Sequence, residues 1–127
     1  MIVATKIFES FILVLGTKSV DIFNYFGVDN LHGLSKKAAL EYKETSKDAY
    51  IMGLTNYSPI DEKPFIFINT NRLNGSIKDG TAIMHETVHL GLLLNNWKIE
   101  TKEEKIVSDA ERIANQILDF INEKKVL

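Results

Sequence analysis

The segment from Ser76 to Asn96 constrains the fold of this chain more than any other part of the sequence. Ser76 is followed three residues later by Asp79, which is the spacing of a capping box at the start of a helix. Apolar side chains then recur at helical spacing at Met84, Val88 and Leu92. The pattern predicts an amphipathic helix that runs to the end of this segment, and the rest of the chain must supply a layer against which it packs.

Two of the three histidines of the chain, His85 and His89, lie in this predicted helix. Four residues correspond to about 40° of rotation and one turn of rise, so both imidazoles leave the same face of the helix. Two ring nitrogens in this arrangement can each ligate one Zn²⁺ ion at about 2.0–2.1 Å. The chain contains no cysteine, so a transition metal would have only histidine and carboxylate ligands. The spacing therefore predicts a zinc site.

Glu86 follows the first histidine directly and, one step round the helix, is poorly placed to bind the same ion. It can instead reach a water that the metal holds and accept its proton as the water attacks a carbonyl group. This is the H-E-x-x-H signature on a helix. A purely structural zinc site has four protein ligands and no use for such a base. Glu86 is therefore the predicted catalytic residue, with His85 and His89 as metal ligands.

The third metal ligand has to be a carboxylate, because a catalytic zinc site uses three protein ligands and no histidine follows His89. A last helix is predicted from Thr101 to Lys124 on an apolar stripe formed by Ile106, Val107, Ala110, Ile113, Ala114, Ile117, Leu118 and Ile121. The acidic candidates on this helix are Glu103, Glu104, Asp109 and Glu111. Glu111 lies at the border of the stripe and is the preferred ligand. Glu104, one heptad earlier on the same side, is its main rival.

The remaining segments predict an α+β fold: a mostly helical single domain over residues 1–127 with a small antiparallel sheet. Helices are predicted at about residues 3–15, Val20–Phe26 and Lys36–Asp48, and strands at Tyr50–Thr55 and Pro64–Asn69. If the second of these strands lies at the sheet edge, it offers a site for an extended peptide. The arrangement corresponds to a minimal zincin-like architecture, in which the active-site helix is followed by a ligand-bearing helix.

Composition and charge exclude several classes of function. The net charge is −2 and the pI is about 5.9, whereas a nucleic-acid-binding domain usually has a basic stripe. The apolar run from Phe11 to Leu15 is too short to span a bilayer and has no basic segment before it, so it predicts a buried helix rather than a membrane span or signal peptide. We therefore expect a cytoplasmic protein that binds neither nucleic acid nor membrane.

Two segments of the chain resemble the ImmA/IrrE family of short zinc metallopeptidases. The strand that ends in Ile68-Asn69 precedes the H-E-x-x-H helix, and Glu111-Arg112-Ile113-Ala114-Asn115 matches the Glu-x-x-Ala-Asn motif of the family. The resemblance covers roughly residues 64–120 and departs at Thr87-Val88, where the family usually has Leu-Gly. It implies a gluzincin-type peptidase that acts on a protein, with Glu111 as the third zinc ligand.

The favoured prediction is a zinc-dependent endopeptidase whose partner is a protein or peptide substrate. Another zinc hydrolase, such as an amidase, would use the same site, and a non-catalytic zinc-stabilised binding module is the alternative from a different class. Tyr50 and Tyr57 are possible donors to an oxyanion, although packing is the more common role of such tyrosines. His32 lies in a predicted turn and is expected at the surface.

Overall fold

The computed structural model describes residues 1–18, 21–26, 53–57, 63–75 and 77–124. These residues form four strands: β1 (Ile2–Ile7), β2 (Ile12–Gly16), β3 (Gly53–Tyr57) and β4 (Pro64–Asn69). They also form three α-helices: α1 (Asp21–Phe26), α2 (Ile77–Leu94) and α3 (Ile99–Lys124). A 3-10 helix, Thr70–Arg72, follows β4 directly.

The four strands form one mixed sheet in the order β1-β2-β4-β3. β1 and β2 are antiparallel, β2 and β4 are parallel, and β3 and β4 are antiparallel. The structure is therefore a small α+β domain, but the prediction of an antiparallel sheet was wrong. The peptide-binding edge suggested for Pro64–Asn69 was also wrong, because this strand lies inside the sheet between β2 and β3.

The largest correction concerns the N-terminal segment, where a helix was predicted over residues 3–15. The structure has a β-hairpin instead, with a bend at Glu9 and Ser10 closed by a hydrogen bond from the Phe8 amide to the Phe11 carbonyl, 2.8 Å. All five residues of β2 are buried. A strand covered on both faces reads as a continuous apolar run, which periodicity does not distinguish from a buried helix.

Other predicted elements agree with the structure. The helix predicted at Val20–Phe26 is confirmed as α1, and the two long helices are confirmed as α2 and α3. Both predicted strands are confirmed as β3 and β4, with β3 shifted towards Tyr57. The helix predicted at Lys36–Asp48 lies outside the described residues, as do His32 and Tyr50. In the part of the chain that the structure describes, neither α2 nor α3 is long and apolar enough to cross a bilayer.

The central strands β2 and β4 are buried on both faces, because their alternate side chains enter two separate clusters. One cluster joins the sheet to α2 and α3 and includes Leu13, Leu15, Ile66, Ile68, Ile83, Leu90, Ile113, Ile117 and Ile121. The other joins Ile12, Val14, Phe65 and Phe67 to Ile22 of α1. The first cluster fixes α2, and therefore the two histidines, against the sheet.

The buried face of α2 differs from the one that the sequence suggested. Met84 and Val88 are 44% and 42% exposed, whereas Ile83 and Leu90 are almost completely buried. The row of apolar residues at Met84, Val88 and Leu92 therefore borders the core without forming its centre. The same holds for Val107 and Leu118 on α3, which are 58% and 38% exposed.

A short turn connects α2 to α3 and has the hydrogen bonds of a Schellman motif. The Trp97 amide donates to the Leu92 carbonyl at 2.9 Å, and the Asn96 amide donates to the Leu93 carbonyl at 3.2 Å. Asn96 and Trp97 both have left-handed backbone conformations, with φ of 53° and 59°. The turn reverses the chain, so α2 and α3 pack antiparallel.

The packing of α2 on α3 is closest at Gly91. A Cβ atom at this position would lie 2.9 Å from the Ile106 carbonyl oxygen and 3.7 Å from the Ala110 Cβ. Beside this contact, the side-chain Nδ2 of the buried Asn95 donates to the Gly91 carbonyl oxygen at 2.8 Å and to the Asp109 carboxylate at 2.9 Å. These contacts set the register of the two helices.

We expect Gly91→Ala to destabilise the protein by about 1–3 kcal/mol, because the added methyl group forces the two helices apart. Gly80→Ala is a matched control on the same helix, since a Cβ there meets no atom within 4 Å. That control should be neutral or stabilise the protein by up to about 1 kcal/mol, through helix propensity. Urea denaturation of both variants measures the difference, and equal stability would contradict the close contact.

Candidate metal and catalytic site

His85 and His89 lie one turn apart on the solvent-facing side of α2, as their spacing predicts. Their Nε2 atoms are 3.0 Å apart, and the ring planes are inclined at 76°. Two ligands of a tetrahedral zinc ion at about 2.0–2.1 Å would stand about 3.3 Å apart. The pair therefore fits two ligands of a single ion with only a small adjustment. The same separation also allows a hydrogen bond between two neutral rings, with one nitrogen protonated.

Glu86 lies beside this pair but is buried, with only 7% of the residue exposed. The Thr55 hydroxyl of β3 is 3.4 Å from Glu86 Oε2 and 3.3 Å from the Glu86 carbonyl oxygen. Burial raises the pKa of Glu86 above its ordinary value, although the charges of His89 and His85 and the hydrogen bond from Thr55 act in the opposite direction. The structure thus brings one carboxylate, held by the sheet, next to the two imidazoles.

The Glu86 side chain lies close against the backbone of Gly53 in β3. A Cβ atom at Gly53 would lie 2.8 Å from Glu86 Cγ and 3.1 Å from the Phe67 carbonyl oxygen. Sequence reasoning did not single out Gly53 or Thr55 as functional residues. A signal was present, because glycine inside a strand often marks the close approach of another group.

The structure does not bring Glu111 to the histidines. Glu111 is exposed on α3, and within the described ranges no three side chains of His, Cys, Asp or Glu lie close enough together to hold a metal ion. The fit of the site to zinc therefore rests on the two imidazoles. For Glu111 to become the third ligand, its carboxylate would have to move from the surface of α3 towards His85 and His89.

Asp109, another candidate ligand, is engaged elsewhere. It accepts a hydrogen bond from Asn95 and forms ion pairs with Lys105 at 3.0 Å and Arg112 at 3.5 Å. Partial burial raises the pKa of Asp109, but these hydrogen bonds and charges outweigh it and hold the pKa below its ordinary value. Its role is to join the two helices near the turn.

The register of the helix pair places Glu111 and Glu104 at different levels along the helix axis relative to the histidines. Gly91 lies opposite Ile106 and Ala110, and the helices are antiparallel, so residues before Gly91 face residues after Ala110. His89 precedes Gly91 closely, and Glu111 directly follows Ala110. Glu104 lies about 10 Å further along the helix axis, towards the turn. Measured along the helix axis, Glu111 therefore lies closer than Glu104 to the level of His89.

We expect Glu111→Ala to weaken zinc binding by more than about 100-fold, because loss of an outer-shell partner alone costs about 10–100-fold in metal affinity. Glu104→Ala, an exposed carboxylate on the same helix, should leave the affinity within about threefold of wild type, since it would lose no direct ligand. Competition against a chromogenic chelator measures both. A larger loss of zinc affinity in Glu104→Ala than in Glu111→Ala would identify Glu104 as the third ligand.

Of the two positions at which the chain departs from the ImmA/IrrE motif, only Thr87 has a clear structural role. Thr87 is completely buried, and its hydroxyl donates to the Met84 carbonyl at 2.9 Å. Val88 is exposed. The backbone of Tyr57 pairs with Pro64 at the end of β3, but its side chain lies outside what the structure describes, so its suggested oxyanion role stays a prediction.

Comparisons with known proteins give no further assignment. No family model matches the chain, and no significant match was found among curated proteins or among solved structures. The function of this chain has therefore to be inferred from the residues of the site and from their geometry.

Proposed function

We propose that this protein is a zinc-dependent endopeptidase of the gluzincin type. His85, His89 and Glu111 are the residues that would hold the metal, and Glu86 is the general base. The observation that carries the proposal is the 3.0 Å approach of the two histidine Nε2 atoms, on a helix whose buried carboxylate, Glu86, interacts electrostatically with both rings. When bound, zinc would polarise the scissile carbonyl and make a water molecule more acidic.

Glu86 supplies the proton transfer in this proposal. Its carboxylate accepts a proton from the attacking water and then delivers that proton to the departing amine nitrogen. The sheet covers the side chain and reduces its contact with bulk water, which strengthens its interaction with a neighbouring charged group. A site whose only function was structural would not need an ionisable group held in this environment.

Two further features support a peptidase. The Glu111-Arg112-Ile113-Ala114-Asn115 motif resembles the ligand-bearing motif of the ImmA/IrrE family, whose members act on proteins. The two histidines also lie on the solvent-facing side of α2, where a substrate would reach them without displacing the core. The absence of cysteine is compatible with action in the reducing cytoplasm.

Cleavage of a whole-cell proteome tests the proposal and requires no candidate substrate. Zinc-loaded protein is incubated with amine-blocked proteome, native in one arm and digested to peptides in the other, and new N-termini are identified by mass spectrometry. We expect discrete cleavages that disappear when zinc is chelated. A fully zinc-loaded protein that produces no new N-termini in either arm would overturn the peptidase proposal and favour the binding module.

A further inference from the structure

We propose that Thr55 is a positioning residue that holds Glu86 Oε2 and leaves Oε1 as the oxygen that accepts the proton. The inference rests on the proposed function, since it assigns the two oxygens of the proposed base. Thr55 is on β3 and Glu86 on α2, so a contact between sheet and helix sets the orientation of the carboxylate.

The Thr55 hydroxyl is well placed to select one oxygen of the carboxylate. Its Oγ1 lies 3.4 Å from Glu86 Oε2 and 3.3 Å from the Glu86 carbonyl oxygen. A hydroxyl has one proton to donate, and a hydrogen bond to an ionised carboxylate is stronger than one to a neutral carbonyl. The proton therefore goes preferentially to Oε2, which is the only side-chain oxygen of Glu86 that Thr55 contacts among the described hydrogen bonds.

The strand that carries Thr55 pairs along its whole length with β4. Thr55 lies opposite Ile66 in the ladder that joins β3 to the interior strand β4. Threonine is branched at Cβ, which restricts its side-chain rotation. The hydroxyl is therefore presented to Glu86 from a fixed direction.

Gly53 allows the same side chain to lie close against the β3 backbone. A Cβ atom at Gly53 would lie 2.8 Å from Glu86 Cγ, so the absence of a side chain there makes room for Glu86. The same Cβ would lie 3.1 Å from the Phe67 carbonyl oxygen, so β3 has little space to shift away. The Glu86 side chain thus lies against the β3 backbone with one carboxylate oxygen bound by Thr55. Such restraint keeps a general base in one orientation, which is worth a substantial part of its rate contribution.

Kinetics of two variants test the inference. Thr55→Val removes the hydroxyl and keeps the shape, whereas Thr55→Ser keeps the hydroxyl. The substrate is the peptide cleaved fastest in the digested proteome, and zinc content is measured for every variant. We expect Thr55→Val to lower kcat about tenfold with KM and zinc content unchanged, and Thr55→Ser to stay within about threefold of wild type. Unchanged kcat in Thr55→Val, or an equal loss in both variants, would overturn the positioning role.

A double-mutant cycle on the metal-free protein provides a readout that needs no activity. Thr55→Val is introduced into the wild type and into the E86A variant, and the midpoint of thermal unfolding is measured. We expect the shift caused by Thr55→Val to differ between the two backgrounds, because the hydroxyl interacts with the Glu86 side chain. Identical shifts would overturn the contact.

The two experiments separate failure of this inference from failure of the proposed function. A zinc-loaded wild type that cleaves nothing overturns the peptidase proposal, and with it any catalytic role of Thr55, whatever the double-mutant cycle shows. A wild type that cleaves the peptide, with a Thr55→Val variant that cleaves it equally fast, overturns only the positioning of Glu86.

Discussion

Replacement of Glu86 by glutamine should lower kcat for peptide cleavage by about two to four orders of magnitude, which is the usual contribution of positioned acid–base catalysis. Glutamine keeps the size and hydrogen-bonding shape of the side chain but cannot accept the proton. Zinc content should stay close to wild type, because Glu86 faces Thr55 and Gly53 of the sheet and is not a proposed ligand. Single-turnover kinetics on the peptide substrate, with metal analysis of the same samples, measures both quantities.

Glu123→Gln is the matched control for this substitution, since Glu123 is an exposed carboxylate near the end of α3. It should leave both kcat and zinc content unchanged. Cleavage by Glu86→Gln at the wild-type rate would show that Glu86 is not the base. Loss of zinc from this variant would instead make Glu86 a ligand.

Loss of either histidine should largely abolish zinc binding. The wild type is expected to hold about one zinc ion per chain, and His85→Ala or His89→Ala removes one of the two nitrogens that converge at 3.0 Å. Both residues lie outside the buried core, so the free energy of unfolding of the metal-free protein should change by less than about 0.5 kcal/mol. Elemental analysis after dialysis, together with chemical denaturation, measures the two effects.

His32→Ala is the control for this experiment, because His32 is the one other histidine of the chain and is predicted to lie in a turn. It should retain the wild-type zinc content. Stoichiometric zinc in a variant that lacks both His85 and His89 would contradict the proposed site. Equal loss of zinc in His32→Ala would indicate that a third imidazole takes part.

The histidine pair and the long helices were predictable because their signals are local. On a helix, the spacing of His85 and His89 fixes their relative direction, and the observed 3.0 Å between the Nε2 atoms agrees with that geometry. α2 and α3 are long enough for their periodic patterns to be recognised independently of the sheet. The face of α2 that is buried was less certain, because polar residues such as Glu86 and Thr87 also lie inside.

The sheet was harder to predict because its order depends on contacts between distant segments. β2 is parallel to β4, with Ile12 opposite Phe65, and nothing in either segment alone indicates this pairing. The role of Thr55 was hidden for the same reason, since it contacts Glu86 from 31 positions away. The third ligand stays a prediction, because several carboxylates on α3 were candidates and the structure brings none of them to the histidines within the described residues.

The pairing of β2 with β4 also determines the order in which we expect the molecule to fold. The contacts between α2 and α3 join neighbouring segments, such as Asn95 and Asp109, 14 positions apart, whereas the parallel pairing must close a much longer loop. Pulse-labelled hydrogen exchange should therefore protect the amides of the helical hairpin before those of the sheet. All three proposed zinc ligands belong to that hairpin, whereas the sheet contacts of Glu86 form only when β3 docks. A complete chain that refolds would accordingly be able to capture the metal before it is able to hydrolyse a peptide bond.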